Sequence, residues 1–293
     1  MREGLVVKSY SNFHYVNSGG KIYECQLRGK FRRMRTPVLC GDRVKFKATG
    51  EGRGVIEEIL PRKVELKRPP VANVDQTVIV FSLIQPDLDL RLVDRLVVLS
   101  EGCGLEVLLC LNKIDLVDQA EVAQVVSWYQ EVGYRVVSTS AKTGFGLTDL
   151  ESELAGKVSV LAGQSGTGKS SLLNGLLPGL SLRTGEVSEK LGRGRHTTRH
   201  VQLLSLTGGG LVADTPGFSR LDLPDLTPVE LTNLFVDLRE HASRCRFSGC
   251  IHDREPSCAV KEAVEGGTLL EWRYRHYLDF LHELQEREEN RYR

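Results

Sequence analysis

Two short peptides stand in this chain in an order that restricts what it can fold into. Residues 163–170, GQSGTGKS, match G-x-x-x-x-G-K-[ST], a glycine loop whose backbone N–H groups cradle phosphate oxygens. Residues 112–115, NKID, come earlier in the chain. Proteins that combine these two peptides ordinarily carry the phosphate loop first. The fold must therefore accept a reversed order and still bring both peptides to one edge.

The chain from residue 73 to residue 221 alternates apolar strands with amphipathic helices. This alternation predicts an α/β domain with a mainly parallel sheet and helices on both faces. The phosphate loop follows one predicted strand and opens a helix, which is the context that its motif requires. The predicted strands cover residues 76–83, 105–111, 134–140, 157–163, 200–206 and 210–216, and the predicted helices cover residues 90–104, 118–133, 146–154 and 169–177.

The glycine loop is expected to hold the phosphates of a nucleotide. Gly163 and Gly168 allow the backbone to point N–H groups inward, and the N-terminal end of the following helix favours the same anion. Lys169 would reach the β- and γ-phosphates, and the hydroxyl of Ser170 would be a ligand of Mg²⁺. The predicted phosphate contacts are Gly163, Gln164, Ser165, Gly166, Thr167, Gly168, Lys169, Ser170 and Ser171.

The NKID peptide is expected to select guanine. The two carboxylate oxygens of Asp115 match the N1–H and the exocyclic amino group of guanine, and adenine has no such pair of donors. Asn112 would brace the loop, and the stem of Lys113 would cover the base plane. The SAK peptide after the next predicted strand would bring a backbone N–H to guanine O6. The predicted guanine contacts are Asn112, Lys113, Ile114, Asp115, Ser140, Ala141 and Lys142.

Two later peptides are expected to sense the γ-phosphate and Mg²⁺. The DTPG peptide ends the last predicted strand, so Asp214 would hold Mg²⁺ through water and the Gly217 N–H would contact the γ-phosphate. Residues 192–200, GRGRHTTRH, are polar, cationic and aperiodic, which predicts a mobile loop. Thr198 is the predicted Mg²⁺-sensing residue of this loop, and Thr197 is the alternative.

The residue that orients the attacking water is less obvious. Phe218 follows DTPG, where some GTPases place a glutamine, and a phenyl ring cannot position water. Intrinsic turnover is therefore expected to be slow unless another group acts. His196 and His200, in the predicted mobile loop, are candidates for that group.

The five peptides occur in the order NKID, SAK, GQSGTGKS, GRGRHTTRH and DTPG. The first two are expected to bind guanine and the third the phosphates. The last two, the switch peptides, are expected to sense the γ-phosphate and Mg²⁺. The ends of an open α/β domain lie at its surface and often close together, so joining them and cutting elsewhere preserves the sheet. We interpret residues 70–221 as a circularly permuted P-loop GTPase domain, cut just after DTPG. The second switch peptide, DTPG, then leads directly into residues 222–293, which suggests that the conformation of this C-terminal domain depends on the bound nucleotide.

Residues 1–69 are predicted to form a small basic β-barrel. Five short strands with turn signals favour an OB-fold, with an SH3-like barrel as the alternative. Residues 1–70 hold 16 basic and 7 acidic residues, a net charge of +9 within a chain of net charge +1. Arg28, Lys30, Arg32, Arg33, Arg35 and Phe31 crowd what is predicted as its middle hairpin, which suggests RNA binding. Residues 68–70, RPP, are predicted to be a linker.

The C-terminal 222–293 segment is predicted to be mainly helical with a zinc site. One helix is predicted over residues 226–238, with Thr227 as its N-cap, and an amphipathic helix lies near the end of the chain. Cys245, Cys250, His252 and Cys258 have the spacing C-x₄-C-x-H-x₅-C. Three thiolates and one imidazole would complete the tetrahedral shell of one structural Zn²⁺. The remaining cysteines are expected to be ordinary small residues.

Composition indicates a cytoplasmic protein. Hydrophobic residues make up 41% and charged residues 26% of the chain, which is typical of a globular protein. The N-terminal residues lack the apolar stretch of a signal peptide, and the longest apolar runs are too short to cross a bilayer. Seven cysteines without a secretory signal favour thiols and metal ligands over disulfides.

With these motifs, the chain resembles the circularly permuted small ribosomal subunit biogenesis GTPases of bacteria. The resemblance rests on NKID, SAK, GQSGTGKSS, GRHTT, DTPGF and the C-x₄-C-x-H-x₅-C cluster. It implies GTP hydrolysis stimulated by the 30S subunit, a role late in the maturation of that particle, and contacts of the barrel and the zinc domain with 16S rRNA. It also makes His196 the catalytic candidate. Arg199 departs from the family pattern, which often has a third threonine there.

Two other functions fit parts of the sequence. An RNA-binding protein with a mainly structural nucleotide would explain Phe218, and a generic P-loop ATPase would need no guanine loop. Asp115 argues against the ATPase because its carboxylate has no partner on adenine. Neither membrane nor DNA is expected as a partner.

Overall fold

The computed structural model describes residues 1–10, 12–28, 37–67, 69–177, 179, 201–214 and 222–291, with Asp214 described by its backbone. One eleven-stranded sheet runs through the barrel and the α/β part of the chain. Among the described residues, no helix is both long enough and apolar enough to cross a membrane.

The N-terminal residues form a closed five-stranded barrel. Its strands pair in the order β1-β2-β3-β5-β4, β4 pairs back to β1, and β3 and β5 run parallel. This Greek-key closure confirms the OB-type barrel and excludes the SH3-like alternative. Alternate residues, among them Val16, Phe46 and Ile56, fill the interior. The strands are β1 (Arg2–Tyr10), β2 (Phe13–Ser18), β3 (Lys21–Leu27), β4 (Arg43–Gly50) and β5 (Arg53–Ile59).

Two sequence predictions about the surroundings of this barrel are wrong. β3 and β4 do not form the predicted middle hairpin, because β3 pairs with β5 and not with β4; the basic residues predicted there lie outside the described residues, except Arg28. The prediction that RPP is a linker fails at Pro70, which begins β7 (Pro70–Ala72); this strand pairs with β6 (Glu65–Lys67) in a two-stranded ribbon, and Arg68 lies outside the described residues. Pro70 is compatible with this position because it is the first residue of its strand.

The middle of the chain forms the expected mainly parallel α/β sheet. Its strand order is β10-β9-β8-β11-β13-β12, and only β12 is antiparallel to its neighbours. Most elements are shorter than predicted, because residues at one or both predicted ends lie in turns or loops; residues 200, 215 and 216 of the last two predicted strands lie outside the described residues. The strands are β8 (Gln76–Phe81), β9 (Glu106–Leu111), β10 (Arg135–Ser138), β11 (Val158–Ala162), β12 (Gln202–Ser205) and β13 (Leu211–Asp214). The helices are α1 (Leu90–Glu101), α2 (Gln119–Glu131), α3 (Leu147–Leu154) and α4 (Lys169–Leu176).

The C-terminal residues are helical, as predicted, but the first predicted helix is two helices. Thr227 forms the expected capping box with Glu230 at the start of α5. Phe235 then adopts an extended backbone and begins α6. Its ring is fully buried and packs edge-on against Tyr277, so tertiary packing overrides helical continuity here. The helices are α5 (Pro228–Asn233), α6 (Val236–Ala242), α7 (Ala259–Glu265) and α8 (Glu271–Arg291).

A fully buried arginine joins the C-terminal helices to the α/β sheet. Arg273 on α8 donates two hydrogen bonds to Asp237 of α6, at 2.7 and 3.0 Å, and a third to Asp94 of α1. His276 also lies 2.7 Å from Asp94, between its Nδ1 and the second carboxylate oxygen. The ring of Trp272 packs beside the rings of Trp128 and Tyr129 on α2. The C-terminal domain therefore packs on the two helices that precede and follow the NKID peptide along the chain.

Substitution of Arg273 by methionine is expected to lower the free energy of unfolding by about 3–5 kcal/mol, because it leaves two buried carboxylates without their cation. The matched control is Arg275→Met on the same helix, where the side chain is 72% exposed and pairs with Glu271. This control should change stability by less than about 1 kcal/mol. Denaturant unfolding followed by tryptophan fluorescence measures both, and equal losses would contradict the structural role of Arg273.

Candidate functional site

The NKID peptide and the glycine loop lie at the same edge of the sheet. NKID begins directly after β9, and the glycine loop begins directly after β11. Both strands run parallel to β8, which lies between them. Parallel strands that start from one side end at the same side, so their C-terminal loops meet there. The reversed order along the chain does not separate the two loops.

Asn112 is the residue that ties these loops together. Its side chain is buried, with the residue 2% exposed. Its Nδ2 donates to the carbonyl of Thr167 in the glycine loop at 2.8 Å. Its Oδ1 accepts from the backbone N–H of Ala141 and from the hydroxyl of Thr139, both at 3.1 Å. One amide thus joins the NKID, SAK and glycine loops.

Asp115 lies beside the SAK peptide with its carboxylate largely shielded from solvent. Ser140 donates its hydroxyl to Asp115 Oδ1 at 2.6 Å, and this hydroxyl accepts the N–H of Thr143 at 3.2 Å. The Nζ of the exposed Lys142 lies 4.0 Å from Asp115 Oδ2. These contacts hold one oxygen of the Asp115 carboxylate, while the second oxygen lies near the exposed Lys142 ammonium.

Two residues of this site were missed by sequence reasoning. Thr139 is fully buried and orients the Asn112 amide; its place just before SAK, after a buried strand, was the available signal. Gln85 accepts a hydrogen bond from Lys113 through its backbone carbonyl. A backbone acceptor leaves no trace in residue type, so no sequence signal could have revealed it. Lys113 itself adopts a left-handed conformation, with a φ of 65°.

The glycine loop has the conformation that its sequence predicts. Gly163 and Gly168 have φ values of 133° and 96°. A Cβ on Gly163 would collide with the Val80 carbonyl, and one on Gly168 would collide with the Asn112 amide. Lys169 donates to the carbonyls of Gly163 at 2.9 Å and Gln164 at 2.8 Å. Burial lowers the pKa of Lys169, and a bound anion would oppose that shift.

The remaining predicted residues divide into described and undescribed ones. Ile114, within NKID, begins a short 3₁₀ turn that ends at Leu116, and Ser170 and Ser171 lie in the first turn of α4. Ser165 and Gly166 lie in the turn between β11 and α4. The backbone of Asp214 ends β13. His196, Thr197, Thr198, His200, Gly217 and Phe218 lie outside the described residues, as does the side chain of Asp214.

A second candidate site brings together the three cysteines and the histidine of the C-terminal cluster. One ligand atom from each of Cys245, Cys250, His252 and Cys258 lies within 4.8 Å of the others. His252 Nδ1 is 3.6 Å from Cys245 Sγ and 3.3 Å from Cys258 Sγ, and these two sulfurs are 3.9 Å apart. A tetrahedral ion with bonds of about 2.3 Å to sulfur and 2.0 Å to nitrogen requires separations of about 3.8 and 3.5 Å. The donor set therefore fits a metal ion.

The surrounding residues hold this cluster against α8. Tyr274 and Tyr277 donate to the backbone carbonyls of His252 and Ile251 at 2.6 and 2.7 Å. His252 has a φ of 62°, so the chain is held in a left-handed turn at a ligand. Burial raises the pKa of the Cys250 thiol to about 12, which disfavours a thiolate unless a cation offsets the cost.

These features together define the class of protein. The α/β sheet brings the NKID, SAK and glycine loops together at one edge in permuted order. An N-terminal barrel precedes it, and a cluster of three cysteines and one histidine follows it. This combination is typical of a circularly permuted GTPase. Family comparison agrees: a model described as RsgA GTPase matches residues 59–224, and one described as RsgA N-terminal domain matches residues 3–56.

Relatives and solved structures extend over almost the whole chain. The chain is 51% identical over 286 residues to the small ribosomal subunit biogenesis GTPase RsgA of Moorella thermoacetica, which covers 98% of each chain. It is 50% identical to that of Geobacillus thermodenitrificans, which covers 98% of this chain and 99% of the relative. The chain therefore belongs to the RsgA family of small ribosomal subunit biogenesis GTPases.

Two solved structures share the fold. The crystal structure of YjeQ from Thermotoga maritima has a TM-score of 0.85 at 41% identity and covers 97% of this chain and 98% of that one. YloQ, described as a circularly permuted GTPase, also has a TM-score of 0.85 at 41% identity, and covers 98% of this chain and 96% of that one. The permutation inferred from motif order is thus confirmed.

The metal centre gives a direct prediction. Purified protein should contain about one metal ion per chain by elemental analysis, because the four ligands form a complete tetrahedral shell. Cys258→Ser should lose most of this metal and lower the melting temperature. Cys103→Ser, which changes an exposed free cysteine, is the matched control and should retain the metal. Metal-free wild-type protein, or equal metal content in both variants, would contradict the assignment.

Proposed function

We propose that the protein hydrolyses GTP to GDP and phosphate on the small ribosomal subunit, that the 30S particle stimulates this reaction, and that it assists late maturation of that particle. The observation that supports the proposal is the set of hydrogen bonds by which the Asn112 side chain joins the NKID peptide to the glycine loop and to SAK. The printed names of the relatives supply the ribosomal context.

Guanine selection is assigned to Asp115. Its carboxylate is held by Ser140 at 2.6 Å, so its second oxygen and one lone pair of the first can face the N1–H and amino group of guanine. The Ala141 N–H donates to Asn112, and the SAK backbone would also face guanine O6. The stem of Lys113, whose ammonium contacts the Gln85 carbonyl, would cover the base plane. ATP should compete weakly, since adenine would leave the carboxylate desolvated and unpaired.

Phosphate binding is assigned to the glycine loop. The N–H groups of residues 163–168 and the ammonium of Lys169, which now contacts two loop carbonyls, would turn to the β- and γ-phosphates. A bound Mg²⁺ would supply positive charge that offsets the charge developing on the phosphates. Ser170, Thr198 and Asp214 would hold it, with Thr197 as the alternative to Thr198, and the Gly217 N–H would contact the γ-phosphate.

His196 is proposed as the catalytic residue that orients the attacking water. This assignment rests on the family pattern GRHTT and on Phe218, which cannot take that role. The C-terminal domain is proposed to respond to the nucleotide, because the chain passes from β13 and the DTPG peptide directly into residues 222–293.

The ion of the C-terminal cluster is proposed to be one Zn²⁺ with a structural role. Cysteine and histidine donors at tetrahedral spacing suit zinc, and four protein ligands leave no open position for chemistry. The OB barrel and the zinc domain are proposed to contact 16S rRNA, and the basic charge of the first 70 residues supports this for the barrel. A cytoplasmic location is proposed, because the 30S particle on which the protein would act lies there.

The test measures hydrolysis of GTP and ATP by purified protein alone, with 30S particles and with 50S particles. We expect GTP turnover to be slow without particles and at least about tenfold faster with 30S, and ATP turnover to stay low. Lys169→Ala should remove the stimulated turnover, since it removes the cation on the phosphates.

The same assay addresses the alternative of an RNA-binding protein with a structural nucleotide. In that case 30S particles would not change turnover, and Lys169→Ala protein would bind 30S particles as wild-type protein does and support its cellular role. Equal turnover with and without 30S particles would overturn the proposal.

A further inference from the structure

The barrel and the GTPase sheet are joined through strand β12. Lys8 of β1 lies opposite Gln202 of β12, and Gln202 lies opposite Asp214 of β13. The three residues form one row across the sheet, from the barrel to the predicted Mg²⁺ aspartate. Strand β12 also begins immediately after the segment that contains His196 and Thr198. The barrel is thus paired with the strand that lies between the two predicted switch peptides.

Cys40 makes a second contact between the barrel and this strand. Its thiol donates to the backbone carbonyl of Val201, the residue before β12, at 3.0 Å. Its own carbonyl accepts the N–H of Ala72, and its backbone bridges to Val71 in the β6–β7 hairpin. The next residue, Gly41, has a φ of 88°, and a Cβ there would collide with the Ala72 carbonyl. Cys40 is therefore held by the hairpin on one side while it holds Val201 on the other.

A shared hydrophobic core makes this junction rigid. Cys40 is buried in one cluster with Val201 and Leu203 of the β12 region and Ala213 of β13. Leu66 and Val71 of the hairpin belong to the same cluster, and Leu5 and Val7 of β1 pack against it. Interiors packed in this way transmit displacement instead of absorbing it. A displacement of the barrel is therefore expected to displace β12 and β13 as well.

We propose that the barrel is a positioning element for GTP hydrolysis, and that Cys40 is the positioning residue that fixes Val201 and β12 relative to the site. The proposal rests on the assignment of the site as a GTPase centre. It adds that the barrel, beyond any contact with RNA, sets the placement of the strand ends next to the predicted catalytic and Mg²⁺ residues. A partner that engages the barrel can then change turnover without touching the nucleotide.

The thiol of Cys40 suits a donor role at this place. Burial raises its pKa to about 11, so the S–H stays protonated at neutral pH and can donate to Val201. Serine retains a hydroxyl donor on a slightly shorter side chain, whereas alanine removes the donor to the Val201 carbonyl. These two substitutions therefore separate the hydrogen bond from the size of the side chain.

The test compares full-length Cys40→Ala, Cys40→Ser and Cys25→Ala proteins with wild-type protein. Cys25 is a fully buried cysteine of the barrel core whose cluster contains no residue of the GTPase sheet, so it is the matched control for loss of barrel packing. The readouts are kcat and KM for GTP in single- and multiple-turnover assays, GDP affinity, and the Mg²⁺ concentration for half-maximal turnover, each without particles and with 30S particles.

We expect Cys40→Ala to lower kcat about three- to tenfold, the kinetic equivalent of one lost buried hydrogen bond, and to raise the Mg²⁺ requirement. GDP affinity and KM should change less than about twofold. Cys40→Ser should restore at least half of the wild-type kcat, and Cys25→Ala should keep wild-type kcat even if its melting temperature falls.

A wild-type kcat in Cys40→Ala, a loss in Cys25→Ala equal to that in Cys40→Ala, or no rescue by serine would each overturn the proposal. Turnover without particles is the primary readout. Absence of 30S stimulation in wild-type protein would therefore contradict the ribosomal function and leave the comparison of the cysteine variants intact.

Discussion

A single buried amide, that of Asn112, is the interaction on which the site depends. It joins the carbonyl of Thr167 to the N–H of Ala141 and the hydroxyl of Thr139, so three loops from different parts of the chain share one set of hydrogen bonds. A buried amide in this position is specific because each unmade hydrogen bond would cost about 1–3 kcal/mol. Gly168 has no side chain at the place where this amide approaches. The permuted order is tolerated because the loops are joined in space and not by sequence.

The two accessory domains attach to different parts of the GTPase sheet. The barrel extends the sheet beyond β12, next to the predicted switch peptides. The C-terminal domain packs on the other side through Arg273 and Trp272, which contact the helices that flank the NKID peptide. The barrel is therefore paired with the strand between the predicted switch peptides, and the C-terminal domain contacts the helices on either side of the predicted guanine peptide NKID. The cut in the permuted domain, after β13, is what allows residues 222–291 to follow the switch and return over α1.

Much of this arrangement could be predicted from the sequence, because the decisive features are local. Hydrophobic periodicity located the parallel strands, glycine positions marked the phosphate loop, and the spacing of Cys245, Cys250, His252 and Cys258 indicated a cluster that the structure brings together. The errors arose where tertiary contacts decide. Phe235 splits a predicted helix because its ring is buried in the core, and Pro70, predicted to be part of a linker, begins a strand that pairs with β6. The Gln85 carbonyl and the Cys40–Val201 contact involve backbone acceptors, which residue types do not encode.

The most direct test of the central claim is calorimetric titration of wild-type and Asn112→Ala protein with GDP and with ADP. If one amide unites the guanine and phosphate loops, wild-type protein will bind one GDP per chain at least about a hundredfold more tightly than ADP. The Asn112→Ala protein will bind GDP at least about tenfold more weakly. Equal affinity of the wild-type protein for the two nucleotides, or unchanged GDP affinity in the variant, would contradict the account.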